Sequence, residues 1–410
     1  MGDNVFTLEV LRAKYGDCLL LHYGTTDEPA LALIDGGPSG VYTSFLKPRL
    51  QALRLERGLP PEQSLPIDLC MLSHIDDDHV LGLKDLTKEL VQAREDNKAE
   101  MVQILDLWHN AFDDIAKNDA KEIVAAVADR FGPASLDGGE LPDDPEFNTG
   151  AMMVLASVNN GRKLRDNAIK LGIDRNVDTG GEMVVATDHN DPLDMGSGLT
   201  FTVIGPMLAE IEALQAEHAK WVKENPEEVA KSKEFLASFD DDTVPNLSSI
   251  VVLAESNDRT ILFTGDARGD KILEGMELVG VIEPGGTIHV DVLKCPHHGS
   301  IRNIDTVFFE RISADHYVFS ANGKFGNPDR ETLEMLAKVR GDVDYHVHLT
   351  YPIADIDAGA KKDFESKHHG EQWDAETQGL AAFLAANPQF EERIVIVGEN
   401  ELHLIELAGQ

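Results

Sequence analysis

Short apolar runs broken by Gly, Asp and Asn turns occupy both ends of the chain, while its middle repeats apolar residues at helical spacing among acids. The runs at 5–11, 18–23 and 30–34 predict strands, with a turn at Tyr15-Gly16-Asp17 and a stop at Asp35-Gly36-Gly37. Phe45, Leu46, Leu50 and Leu53 predict a helix over 43–57, and 67–72 reads as a buried strand. From about 83 to 240 the pattern predicts acidic helices at 112–130, 150–172 and 207–239, interrupted by strand-like pieces at 102–107, 182–187 and 199–204. Strands return at 248–254 and 260–266, a hairpin around Asn257-Asp258. A helix at 269–278 and a strand at 287–294 follow. A strand at 316–320, a Gly- and Asn-rich loop at 321–328, a helix at 329–340 and strands near 343–349, 393–397 and 402–407 complete the reading. There is no fixed-period repeat.

This alternation predicts a mixed α/β (α+β) chain. One domain spans 1–410, with a mostly helical insertion or cap at about 84–245 and a C-terminal extension at about 340–410 that completes a second sheet. Hydrophobic residues make up 42% of 410, enough for a large core. No apolar run reaches membrane-spanning length, and Met-Gly-Asp-Asn-Val-Phe lacks the segments of a signal peptide. Cys18, Cys70 and Cys295 are too few and too scattered for a disulfide scaffold, so a reducing cytoplasm is expected. The net charge of −37 argues against broad attraction to a nucleic-acid backbone, because no basic track is visible.

The chemistry concentrates in Ser73-His-Ile-Asp-Asp-Asp-His-Val-Leu-Gly82, directly after the strand at 67–72. His74, Asp76, Asp78 and His79 fall in six positions, and imidazole nitrogens beside carboxylate oxygens suit a first-row divalent metal. Three further pieces follow strands in the same way: Asp35-Gly-Gly37, Thr264-Gly-Asp266 and Pro296-His297-His298-Gly299-Ser300.

Together these motifs resemble the metallo-β-lactamase superfamily, and within it the branch that includes the hydrolase domain of the bacterial competence DNA-uptake channel. Gly16-Asp17-Cys18, Leu33-Ile-Asp-Gly-Gly37, Gly265-Asp266-Ala267 and His297-His-Gly-Ser300 carry the resemblance, which covers most of 5–83 and 247–337. It implies an αββα sandwich holding two divalent ions that share an activated hydroxide. Asp266 would bridge the ions. Asp78, His79 and His298 would complete one site, while His74 and Asp76 would bind the other ion. His297 would face the substrate as donor or acid, the reverse order of the pair being the alternative. Asp35 would support this shell by hydrogen bonding.

Two departures bear on the metal. Asp76 stands where the family's commonest loop has a histidine, and Asn246 or Ser248 stands where its third motif usually supplies another. The oxygen-rich His74/Asp76 site then takes zinc or manganese, and the Asp78/His79 site zinc.

Other residues have weaker claims. His109 is either a pocket residue or a packing histidine, and His189 sits in a polar turn. Asn322, Lys324 and Asn327 lie in a loop suited to an anionic group, or else simply turn the chain. Lys324 would share with His297 the stabilisation of developing charge. His368-His369 reads as surface, and Cys295 as buried rather than nucleophilic.

The resemblance implies a phosphodiester substrate, either a nucleotide or a short single strand of nucleic acid. A carboxylic ester, thioester or lactone is the first alternative. A regulatory protein with a structural metal, binding a partner through its helical insertion, is the second.

Overall fold

The structure, a computed structural model, describes residues 2–110, 149–188, 190–212 and 249–408, with the backbone alone for 149–159. It begins with three antiparallel strands, β1 (Asn4–Val10), β2 (Leu19–Thr25) and β3 (Pro29–Ile34). Then α1 (Lys47–Glu56), β4 (Leu65–Met71), α2 (Asp77–Glu95), β5 (Val102–Trp108), α3 (Thr149–Leu171) and β6 (Asp174–Arg175) follow, and β3 to β6 pair in parallel. The second sheet opens with antiparallel neighbours β7 (Leu193–Asp194), β8 (Thr200–Gly205), β9 (Val251–Ser256) and β10 (Arg259–Phe263). It continues through α4 (Gly269–Leu278), β11 (Ile288–Lys294), α5 (Thr306–Arg311), β12 (Ile312–Phe319), α6 (Arg330–Arg340), β13 (His346–Leu349), α7 (Ile353–Lys367) and β14 (Ile394–Val395). From β10 to β14 the pairing is parallel. The last strand, β15 (Leu404–Glu406), returns to the first sheet beside β1.

Three apolar clusters set the layers. Phe6, Leu8 and Leu21 from one sheet meet Phe201, Val252 and Phe263 from the other, so the sheets stack face to face. Leu50, Leu86 and Leu164 pack α1, α2 and α3 on the outside of the first sheet. Met276, Phe308, Leu333 and Ile356 pack α4 to α7 on the outside of the second. The order is helix, sheet, sheet, helix, in which each element buries its apolar face against a neighbour. Each such side chain contributes about 1.5–3 kcal/mol of transfer energy. α4 shows the local logic: Ile272, Leu273 and Met276 share one buried face at helical spacing.

The architecture redraws some expected boundaries. Within 84–245, β5 and β6 are strands of the first sheet and β7 and β8 of the second, so the described parts of that stretch are built into the layers. The expected helix at 112–130 and most of 207–239 lie outside the described residues. The run 182–187 is not a named strand and makes only the isolated bridge between Ala186 and Met207. At the middle of the run the Asn110 side chain takes the place of a strand partner, donating to the Val184 carbonyl and accepting from the Val184 N–H, each at 2.8 Å. The C-terminal extension serves both sheets rather than the second alone, because β13 and β14 join the second and β15 the first. No described helix is long and apolar enough to cross a membrane.

The parallel strands aim their C-terminal ends the same way within each sheet. Asp35 follows β3, Ser73 and His74 follow β4, and Asp266 follows β10. The His297-His298 pair follows β11, and the 320–327 loop follows β12. Loops at such strand ends gather where ligand sites form in parallel sheets.

Candidate metal centre

Close backbone approach brings the strand-end loops together. Gly36 N–H donates to the His79 carbonyl at 2.8 Å and Gly82 N–H to the Gly37 carbonyl at 3.0 Å, sealing the Asp35 turn onto the first turn of α2. A Cβ on Gly82 would lie 1.9 Å from the Gly36 oxygen, and one on Gly16 1.9 Å from the Asp78 oxygen. Both positions therefore require glycine. The 15–17 turn, the 35–37 turn and the 73–82 motif form one packed unit.

Asp266 lies between two sets of nitrogens. Its Oδ1 is 3.2 Å from His79 Nε2 and 3.5 Å from His298 Nε2. Its Oδ2 is 3.8 Å from His74 Nε2 and 3.7 Å from His297 Nε2. Asp78 joins the first set, with Oδ1 3.8 Å from His79 Nε2 and Oδ2 3.7 Å from His298 Nε2. Asp76 joins the second, with Oδ2 3.6 Å from His74 Nε2. Asp76 holds the N-cap position of α2 yet makes no side-chain capping bond, so its carboxylate is not spent on the helix.

These groups fit a metal on their own chemistry. His74 Nε2, His79 Nε2, His298 Nε2 and Asp266 Oδ1 are buried without a hydrogen-bond partner. Buried polar atoms without hydrogen-bond partners that face one another in this way suit a bound cation. Two groups of side chains can hold one: Asp17, His79, Asp266 and His298, and His74, Asp78 and His79.

In His79 and His74 the nitrogen opposite Nε2 is held by a hydrogen bond. His79 Nδ1 donates to Asp35 Oδ2 at 2.8 Å, and the Asp35 carboxylate also accepts Ser73 N–H and Ser73 Oγ–H, both at 2.7 Å. His74 Nδ1 lies 3.1 Å from Ser73 Oγ. His298 Nδ1 faces Asp17 Oδ1 at the longer distance of 3.5 Å. Asp17 meets the distance requirement for a ligand, but its oxygens are committed elsewhere. Lys294 Nζ is 2.6 Å from Oδ2, and the Ser320 hydroxyl donates to Oδ1. Asp17 therefore stands behind His298 as a neighbouring charge at 3.5 Å, without the hydrogen bond by which Asp35 orients His79.

Electrostatics point the same way. Burial disfavours the charged forms, yet His298, His297 and His79 hold the Asp266 carboxyl well below the usual range. Asp17 is likewise held down against burial by Lys294 and His298, and Asp78 by His79 and His298. In return, Asp266, Asp35 and Asp78 overcome burial and raise the His79 imidazole well above its usual range. His298 is pushed up to about 9 by Asp266 and Asp17, again against burial. Asp17, Asp35, Asp78 and Asp266 converge here, with the Lys294 ammonium as the buried cation beside them. The pocket demands positive charge, which protons supply in part and divalent ions can replace.

His297 and His298 both adopt left-handed backbone, with φ of 46° and 55°. Each such non-glycine residue costs about 1–3 kcal/mol, the kind of strain found where function fixes a side chain. His298 is buried, whereas the His297 side chain is 29% exposed, leaving that edge open. The open edge continues to Tyr15 and Lys324, whose ammonium lies 3.6 Å from the Tyr15 ring centroid. Burial lowers the Lys324 pKa, opposed by the attraction of Asp78.

Other sequence candidates fall in varied places. Asn327 Nδ2 donates to the His297 carbonyl at 3.2 Å and Asn322 Oδ1 accepts from Lys324 N–H at 3.2 Å, so both amides shape the loop. His109 is buried at the end of β5. Cys295 is buried and its thiol is pushed well up, which makes it a poor nucleophile. His368 is exposed and stacks on Phe364. Asn246, Ser248 and His189 lie outside the described residues.

Sequence reasoning passed over Asp17, Lys294 and Ser73 as site residues. Asp17 stood in a quoted motif, and Lys294 ends an apolar run beside the histidine pair, so both left a trace. Ser73 opened the quoted 73–82 motif but was given no role, because serine is not a metal ligand of the expected type. No protein-family model matches the chain.

Proposed function

We propose that the chain is a metal-dependent hydrolase of phosphodiesters, built on a metallo-β-lactamase-like sandwich. The observation that carries this reading is the Asp266 carboxylate, whose two oxygens face two separate histidine pairs in a buried, cation-demanding pocket. His79, His298, Asp78 and Asp266 would hold one ion, and His74, Asp76 and Asp266 the other. Divalent ions there supply Lewis acidity and water activation at neutral pH. The first set has two nitrogens and suits zinc. The second is richer in oxygen and suits zinc or manganese.

The chain's own residues do the rest. Asp35 and Ser73 fix imidazole orientation. His297, at the open edge, presents Nε2 to the departing oxygen as a proton donor. Lys324 meets an anionic oxygen as a point charge, which favours a phosphodiester over a neutral carboxylic ester. A purely structural ion is disfavoured by exposure, since such sites are closed. Here the Asp76 side chain is 31% exposed and that of His297 29%.

The test is turnover of bis-p-nitrophenyl phosphate and of p-nitrophenyl acetate by protein loaded with zinc or manganese. Phosphodiester turnover that is lost in Asp266→Asn is expected. Ester turnover without phosphodiester turnover contradicts the substrate class, and metal binding without either supports the structural-metal alternative.

A further inference from the structure

Phe325 is a large apolar residue on the rim that is 43% exposed, and its φ of 63° is left-handed. Nothing in turn chemistry favours phenylalanine there, so the fold bears backbone strain to keep an aromatic face in place. Its loop is seated firmly: a Cβ on Gly323 would lie 1.8 Å from the Ile356 oxygen of α7. On one side Phe325 meets the edge of Tyr15, with ring centroids 5.4 Å apart, and the Lys324 ammonium lies 4.7 Å from its centroid. Its loop also lines a cavity of about 250 Å³.

Phe364 and Lys367 of α7, together with Trp373 and Gln378, form other parts of that cavity's wall. Phe364 and Trp373 meet edge to face at 5.8 Å, and Lys367 Nζ stands 5.7 Å from the Phe325 centroid. Two residues beyond Phe325, Asn327 holds the His297 carbonyl at 3.2 Å. Phe325 is thus shared by the cavity and by the open edge of the metal centre.

We propose that this cavity is a nucleobase subsite, so that the substrate is a nucleotide or short oligonucleotide whose phosphate lies at the metal centre. The inference rests on the reading of that centre as a phosphodiester hydrolase. Aromatic faces take any base by stacking, and adjacent cations hold the phosphate that accompanies it. An acyl chain would call for an apolar lining, but Gln378 and Asp329 also line the cavity. The Asp374 and Ile301 N–H groups occupy Gln378 Oε1 and Asp329 Oδ2, which leaves the Gln378 amide N–H and Asp329 Oδ1 for base edges.

The decisive comparison is between the p-nitrophenyl ester of thymidine 5′-phosphate and methyl p-nitrophenyl phosphate, which carry the same leaving group with and without a base. Wild-type protein should prefer the nucleotide ester in kcat/KM by about tenfold or more. Phe325→Ala and Trp373→Ala should bring the ratio toward one, while Trp373→Phe keeps it. A ratio near one in the wild type, or one that both alanine variants leave unchanged, overturns the subsite.

If neither ester is hydrolysed, the hydrolase reading fails and binding decides the subsite separately. Adenosine 5′-monophosphate should then saturate a tryptophan-fluorescence change in wild type and bind Trp373→Ala about tenfold more weakly, with inorganic phosphate giving no change. Absence of saturation, or equal binding by the variant, overturns it.

Discussion

The Nδ1–H of His79 donates to Asp35 Oδ2 at 2.8 Å, and that carboxylate is itself fixed by the backbone and hydroxyl of Ser73. In the neutral ring that a metal takes, Nε2 is then the lone-pair nitrogen, on the side that faces Asp266. Asp35→Asn should therefore weaken metal binding about 10- to 100-fold with the fold retained. Asparagine tolerates the left-handed backbone of this position, whose φ is 59°. Competition with a chromogenic chelator reads the affinity, and unchanged affinity would remove Asp35 from the supporting role.

Lys294 presents a different balance. Its ammonium is fully buried against Asp17 Oδ2 and also donates to the Cys295 carbonyl at 3.1 Å. Removing one partner of a buried pair strands the other charge. Lys294→Met should cost about 3–5 kcal/mol in urea unfolding, and Asp17→Asn/Lys294→Met should cost less than the single change. A double variant no better than Lys294→Met would show that the lysine acts by packing rather than by charge.

Metal removal should make stability depend on pH in a definite sense. The folded pKa of His298 is raised to about 9, above an ordinary imidazole, by Asp266 and Asp17 against the effect of burial. In the metal-free protein its contribution is fully present below about pH 6.5 and is lost as pH rises through about 9. A bound metal requires the neutral ring, so it becomes more stabilising over the same window. The difference in Tm between zinc-loaded and chelated protein should widen from pH 6.5 to 9.5 by calorimetry. A constant difference would mean that His298 is no ligand.

How far the sequence carried these residues depended on where each partner lies along the chain. His74, Asp76, Asp78 and His79 share one strand-to-helix turn, so spacing alone grouped them. Asp266 and His298 end neighbouring parallel strands, and strand ends can be read from apolar runs. Asp17 and Lys294 meet only because two sheets stack, which no local pattern encodes. The same limit applies to β15: its apolar residues predict a strand, but not that it pairs with β1 rather than extending the second sheet. At 182–187, where alternation had assigned a strand, side chains compete for the backbone: Asn110 bonds Val184, Asn176 the Glu182 carbonyl and Asn190 the Val185 carbonyl.

A second histidine group should make the fold sensitive to acid. His316 Nδ1 is 2.9 Å from His348 Nε2, and His348 Nδ1 is 2.8 Å from His403 Nε2. A ring that accepts at one nitrogen and donates at the other must be neutral. Burial, with the neighbouring imidazoles of His403, His316 and His346, pushes His348 down to about 2. Burial and the Arg12 guanidinium push His403 down to about 4. His316 is lowered by burial and His346, with Asp315 and Asp291 opposing. The folded values lie below the ordinary imidazole value, so the contribution is complete above about pH 6.5 and is lost as pH falls from there toward the folded values. The His403 backbone carbonyl accepts from Val10 N–H at 2.9 Å just before β15, which places the histidine chain beside the strand that closes the first sheet. Between pH 6.5 and 5, His348 alone should account for about 2 kcal/mol of lost stability. Urea unfolding of wild type and His348→Gln at those two pH values measures it: the variant starts lower at pH 6.5 but should lose correspondingly less on acidification. Equal losses in the two proteins would show that the histidine chain does not stay neutral in the folded state.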